Sequence, residues 1–127
     1  MSEGLTPEQT HRVVAIAMDL AREGDTGELT AFIEHGLPAN SADEAGNTLL
    51  MLAAYHGHAG TVRALLDLGA DPDLRNDRDQ SPIAGALFKG ADDVVAVLSA
   101  AGADLDAGTP TARAAAAMFG QEHLLPS

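Results

Sequence analysis

Along residues 62 to 67 the apolar side chains Val62, Leu65 and Leu66 fall at i, i+3 and i+4, with Arg63 and Asp67 on the opposite side. This is the stripe of an amphipathic helix with one buried face. A shorter apolar run precedes it, so the segment reads as two short helices, roughly Thr48 to His56 and Ala59 to Leu68, broken at Gly57. The pattern recurs. Leu29, Val62 and Val95 are evenly spaced, and the series Phe32, Leu65, Leu98 and Leu20, Ala53, Ala86 keep the same interval. Two glycine series, Gly24, Gly57, Gly90 and Gly36, Gly69, Gly102, share it too. Glycine accepts the left-handed geometry of a helix C-cap, so Gly57 and Gly90 are expected to end helices with positive φ. Apolar and glycine series with one shared period of about 33 residues are the signature of a stacked repeat.

Between the helix pairs, Ala70 to Gln80 has no helical period and is dense in turn formers, which predicts a hairpin-like connector. Ser81-Pro82 restarts a helix, with Ser81 as N-cap and Pro82 at the first helical position. Thr6-Pro7-Glu8-Gln9 reads as a capping box opening a helix from about Pro7 to Glu23, longer and more polar than the internal ones. At the other end, Gly120 with Leu124 and Leu125 matches Gly90 with Val94 and Val95 if the preceding loop is three residues shorter. A second register takes Thr109-Pro110 as the helix start and needs a two-residue insertion before Gly120.

The runs Asn47-Thr48-Leu49-Leu50-Met51-Leu52-Ala53-Ala54-Tyr55-His56-Gly57-His58 and Leu65-Leu66-Asp67-Leu68-Gly69-Ala70-Asp71 closely resemble the ankyrin repeat, with its Thr-Pro-Leu-His-x-Ala signature. The resemblance covers nearly the whole chain. Leu49 stands in place of the Pro, Met51 and Ala84 in place of the signature His, and Asp79 in place of the hairpin Gly. The resemblance implies an all-α ankyrin solenoid of about four helix-turn-helix units with hairpin-like loops. The chain from 1 to 127 is expected to form one domain, with units at approximately 6–42, 43–75, 76–107 and 108–127, the outer two acting as caps.

Composition narrows what such a solenoid could do. A hydrophobic content of 46% fits a folded chain, and with three Phe, one Tyr and no Trp its core must close through Ala, Leu and Val. The formal charge of −12, with seven dispersed Lys and Arg, opposes binding to nucleic acid and favours a basic protein partner, while also serving solubility. No cysteine is present, which excludes disulfides and thiolate sites and is compatible with a reducing cytoplasm. The polar start, Met1 to Gln9, shows no secretion signal, and no apolar run is long enough for a bilayer.

Candidate chemistry is sparse. His56 and His58 are spaced wrongly for a shared helical face, and His58 falls on the family's Gly-His position, where the resemblance implies a structural hydrogen bond. Asp71, Asp73, Asp77 and Asp79 look like pieces of a calcium loop, but Arg75, Asn76 and Pro82 occupy its fifth, sixth and twelfth positions. No metal, cofactor or catalytic set is expected, and the chain is read as no enzyme.

The resemblance directs attention to a groove instead. Tyr55 and Phe88, one period apart, sit at the place that faces the concave surface in ankyrin proteins, Met118 takes the matching place in the last unit, and Phe119 stands beside it. These side chains either form an exposed recognition row or pack over helix ends within their own repeats. His56 and Lys89 would flank the row. Glu44, Ala45 and Asn47 in one loop and Arg75, Asp77, Arg78 and Gln80 in the next would supply contacts at the tips. The expected function is that of a cytoplasmic module binding another protein, as monomer or weak homodimer, without a cofactor. Two alternatives stand beside it: an acidic inhibitor that neutralises a basic enzyme or toxin, and a self-assembling protein joined through exposed Leu124 and Leu125.

Overall fold

Helix starts are set by side chains that catch free backbone N–H groups. In the computed structural model, which describes residues 6–126, Thr6 closes the expected capping box with Gln9 and opens α1 (Pro7–Glu23). Thr48 caps α3 (Leu49–Tyr55), Ser81 caps α5 (Pro82–Lys89), and Thr111 caps α7 (Ala112–Phe119). The second helices of the pairs are α2 (Thr26–Glu34), α4 (Ala59–Asp67) and α6 (Asp92–Ala100). The last pair is abbreviated: a 3₁₀ turn, Glu122–Leu124, follows α7 in place of a full helix. The first five residues of the polar start from Met1 lie outside the described residues.

Two layers result. Helices α1, α3, α5 and α7 stack in one row, and α2, α4, α6 and the 3₁₀ turn in the other. Between the rows Leu29, Val62, Val95 and their neighbours Leu65 and Leu98 are fully buried, as the periodic series predict. Each such side chain contributes roughly 1.5–3 kcal/mol through burial. The departures from the family signature suit this core: Leu49, Met51 and Ala84 are all buried. Among the described residues Thr48, Thr61 and Ser81 are the buried polar ones, and each is hydrogen-bonded: Thr48 and Ser81 to their helix N-termini, Thr61 to Thr26 at 2.6 Å.

The final unit follows the register with the shorter loop. The step from Ser81 to Thr111 equals the step from Gly90 to Gly120, and both fall short of a full period, while Thr109-Pro110 belongs to the connector ahead of the cap. One expectation is corrected here. Leu124 and Leu125 are half-buried against the core, because the 3₁₀ turn folds back on α6 and α7 and lays both side chains on apolar neighbours. They are not the exposed pair that would join copies of the chain.

Adjacent units are also tied by polar bonds that repeat in step. The amide of Asp71 donates to the Asn40 side chain at 2.8 Å, and one period on the amide of Asp104 donates to Asp73 at 2.7 Å. Asp71 and Asp73 therefore serve turns and unit junctions, which accounts for the spacing that looks like a calcium loop.

Candidate binding groove

The hairpins that edge the inner row share one hydrogen-bond plan. The Asp43 carboxylate accepts from the amides of Ala45 and Asn47, and the Asn76 side-chain oxygen accepts from the amides of Arg78 and Gln80, all at 2.9–3.0 Å. The hairpins are joined by the Asp77 amide donating to the Ala45 carbonyl at 2.9 Å. Gly46 takes a left-handed φ of 82° in the first, and Asp79 takes the equivalent place in the second with φ of 62°. A non-glycine residue is strained there. Asp79 offsets that strain by accepting from the Thr109 hydroxyl at 2.6 Å and pairing with Arg75 at 3.0 Å.

This plan redistributes the loop residues expected at the tips. Glu44, Ala45, Asp77 and Arg78 are exposed. Arg75 is exposed but held by Asp79. Asn47 and Gln80 are half-buried, and the side-chain oxygen of each accepts from the Asn76 amide group, at 2.9 and 2.7 Å. Asn76, which in the sequence stands out only as a misfit to a calcium loop, is the residue that joins them.

The inner helices supply the groove floor. Tyr55, at the end of α3, is half-buried, with its ring against the backbone of Gly85 in α5, where any Cβ would overlap ring carbons. A glycine inside a helix costs about 1 kcal/mol relative to Ala, so its presence signals a close approach. Lys89 Nζ lies 5.8 Å from the Tyr55 ring centroid, a cation–π distance. Phe88 is different: 63% of its surface is exposed. Its ring stands edge-to-face with Phe119, centroids 5.6 Å apart at 67°. Met118 is 67% exposed and Phe119 43%. The two possibilities for the aromatic row are thus divided, Tyr55 resting on its neighbour and Phe88 facing solvent.

Together Tyr55, Phe88, Met118 and Phe119 wall a cleft of about 320 Å³ floored by Gly85 and Ala115. Pro110 and Gln80 complete its edge. The helix-interior glycine was the signal that could have located it. Among the described residues no carboxylate lines this cleft.

A wider cleft of about 510 Å³ lies at the other end of the groove, against α1 and the first hairpin, and its lining is mixed: His11, Asp19, Arg22, Asp43 and Glu44 with Met18 beneath. Arg22 is neutralised by Asp19 at 2.7 Å, and His11 stands 3.9 Å from Glu44.

Histidines mark the junction between the two ends. His58 Nε2–H donates to the Arg22 carbonyl at 2.7 Å, the structural bond expected of the Gly-His position. His56, the C-cap of α3, titrates below its ordinary value, first through desolvation of the cation and then through its neighbours His58, Lys89 and Arg22. Among the described residues no group of three or more His, Asp or Glu is arranged to hold a metal ion.

Residues 17–109 match the family model for ankyrin repeats in three copies. The chain belongs to the ankyrin repeat family. A similar region occurs in oxysterol-binding protein-related protein 1 of Homo sapiens, 40% identical over 85 residues, which is 65% of this chain and 9% of that protein. A Pseudomonas aeruginosa protein described as an ankyrin repeat protein is 44% identical over 66 residues, 50% of this chain and 39% of its own. Ankyrin repeat family A protein 2 of Mus musculus is 40% identical over 77 residues, 61% of this chain and 25% of its own. The chain spans under half of each of these proteins, so what is shared is the repeat. Ankyrin repeats are in general protein–protein interaction modules. Among the described residues no helix is long and apolar enough to cross a membrane.

Proposed function

We propose that this chain binds a partner protein in the groove of its inner helices, with the cleft between α5 and α7 as the anchoring point. The observation that carries the reading is the exposure of Phe88, Met118 and Phe119 around one apolar cleft on an otherwise acidic chain. Three large apolar side chains clustered in this way are uncommon on a surface without a contact role, and desolvated aromatic anchors carry most of the energy of typical interfaces. The loop tips at Glu44, Ala45, Asp77 and Arg78 frame the same groove as adjustable contacts, with His56 and Lys89 beside the row. A cysteine-free chain is compatible with a reducing cytoplasm, where we place the interaction.

The test compares proteins retained from the source cells by three forms of the chain: unchanged, Phe88→Ser with Met118→Ser, and Arg63→Glu on the outer layer. Tyr55 is left intact because its ring is packed on Gly85. A partner held by the first and third forms is then titrated by calorimetry against all three. The double variant should lose at least about 2 kcal/mol of binding, the scale of a hot spot. A partner that binds the folded double variant as tightly as the unchanged chain places the recognition surface elsewhere.

A further inference from the structure

The groove is electrically graded. Among the described residues its α5–α7 end has no carboxylate in the cleft, and it carries Lys89 beside Tyr55. Its α1–α3 end presents Asp19, Asp43 and Glu44, with Arg22 already paired to Asp19, and Glu44 standing out at the hairpin tip. A basic side chain is therefore repelled near Lys89 and attracted two helices away, within the field of a chain of charge −12. The apolar cleft, at about 320 Å³, sits at the small end of the usual range of about 300–1,000 Å³ and suits one or two large side chains.

Packed helices stand about 8–10 Å apart. The two ends are two helix steps apart, or about 16–20 Å. An extended peptide covers that distance in about five or six residues.

Building on the groove reading above, we infer that the occupant is an extended segment of a partner protein with an aromatic or branched aliphatic anchor in the Tyr55–Phe88–Met118 cleft and basic side chains about five or six residues away, against Glu44 at the first hairpin tip. The anchor supplies affinity. The basic residues fix the direction in which the segment lies and speed its arrival, as complementary charge does at interfaces generally. A second copy of this chain is a poor occupant on the same grounds, since it brings another −12.

Random peptides displayed against the full chain, each long enough to span both ends of the groove, followed by anisotropy titration of fluorescein-labelled copies of the enriched sequences, test this. Enriched peptides should pair a large apolar residue with Lys or Arg at that spacing. Phe88→Ser with Met118→Ser should weaken them at least about tenfold. Glu44→Lys should weaken them about threefold or more, a loss that shrinks in about 0.5 M salt. Apolar-anchored peptides with no basic enrichment, indifferent to Glu44→Lys, overturn the charge assignment and leave the groove reading standing. Peptides indifferent to the double variant, when circular dichroism shows it folded, overturn both. Concentration-dependent dimers that the double variant abolishes make a second copy the occupant and overturn the inference.

Discussion

At the α1–α3 end of the groove the position one period before Tyr55 is Arg22, paired to Asp19, and the junction is clamped by His58 on the Arg22 carbonyl. At the α5–α7 end the corresponding positions are Phe88 and Met118, and the place equivalent to His58 is Gln121, whose side-chain oxygen has no hydrogen-bond partner among the described residues. One end is held by a directional polar bond and presents charge. The other is held by ring and methyl packing and presents an apolar cleft. The backbone plan is common to both, so the contrast shows that the repeat specifies the scaffold while single positions on each inner helix decide what the groove can bind.

The sharpest way to break the comparison is at the clamp. Gly24 has φ of 75°, and a Cβ there would lie 2.6 Å from the His58 ring; Gly90 has φ of 72° with open space around it. Gly24→Val should destabilise by about 2 kcal/mol or more, through both strain and collision, and Gly90→Val by about 1 kcal/mol through strain alone. Urea denaturation of the two variants measures the difference. Equal losses would mean that His58 yields freely and clamps nothing.

The apolar end is tested by a cycle at Tyr55 and Gly85. Gly85→Ala pushes a methyl into the ring and should cost about 1–2 kcal/mol by overpacking. In a Tyr55→Ala background the same change should stabilise by about 1 kcal/mol, since Ala is the better helix former. The reversal of sign is the signature of direct coupling, and additive effects would count against the ring's seat on Gly85.

The scaffold was legible in the sequence because its determinants are local and periodic. Glycine caps, the Thr6 capping box, the Ser81-Pro82 start and the buried series each repeat or carry their own signature, and α1 falls on the expected Pro7–Glu23. The groove was legible only in outline. Tyr55 and Phe88 share a register position, yet their exposure depends on what the next unit offers, Gly85 beneath one and the Phe119 edge beside the other. Asn47 and Gln80 look like free tip residues until Asn76 is seen to draw their amides inward. Such outcomes rest on one side chain in a neighbouring unit, and the period itself is silent about them.

Because Phe88 and Met118 face solvent, Phe88→Ser with Met118→Ser should lower stability by less than about 1 kcal/mol, the range of surface changes. Thermal melting checks this against the larger losses at Gly24 and Gly85. A loss of several kcal/mol would make the two side chains part of the core and remove the basis for a binding cleft.

The smallest expected effect lies at His56, between the two ends. The end of α3 by itself favours an imidazolium there, whereas desolvation first, and then the neighbours His58, Lys89 and Arg22, push the titration down. A histidine whose folded pKa is depressed binds fewer protons folded than unfolded just below its ordinary value of 6.5. Its contribution is therefore fully present above that value and is lost as pH falls through the lowered folded pKa. Between pH of about 7.5 and 5 the unchanged chain should lose slightly more stability than His56→Gln, in which the other histidines still titrate. Removing a positive neighbour by Lys89→Gln should move the His56 titration, followed by NMR of the ring protons, back toward its ordinary value. A His56 that titrates at or above that value would show that the helix end dominates, and that acidification does not work against the folded chain at this junction.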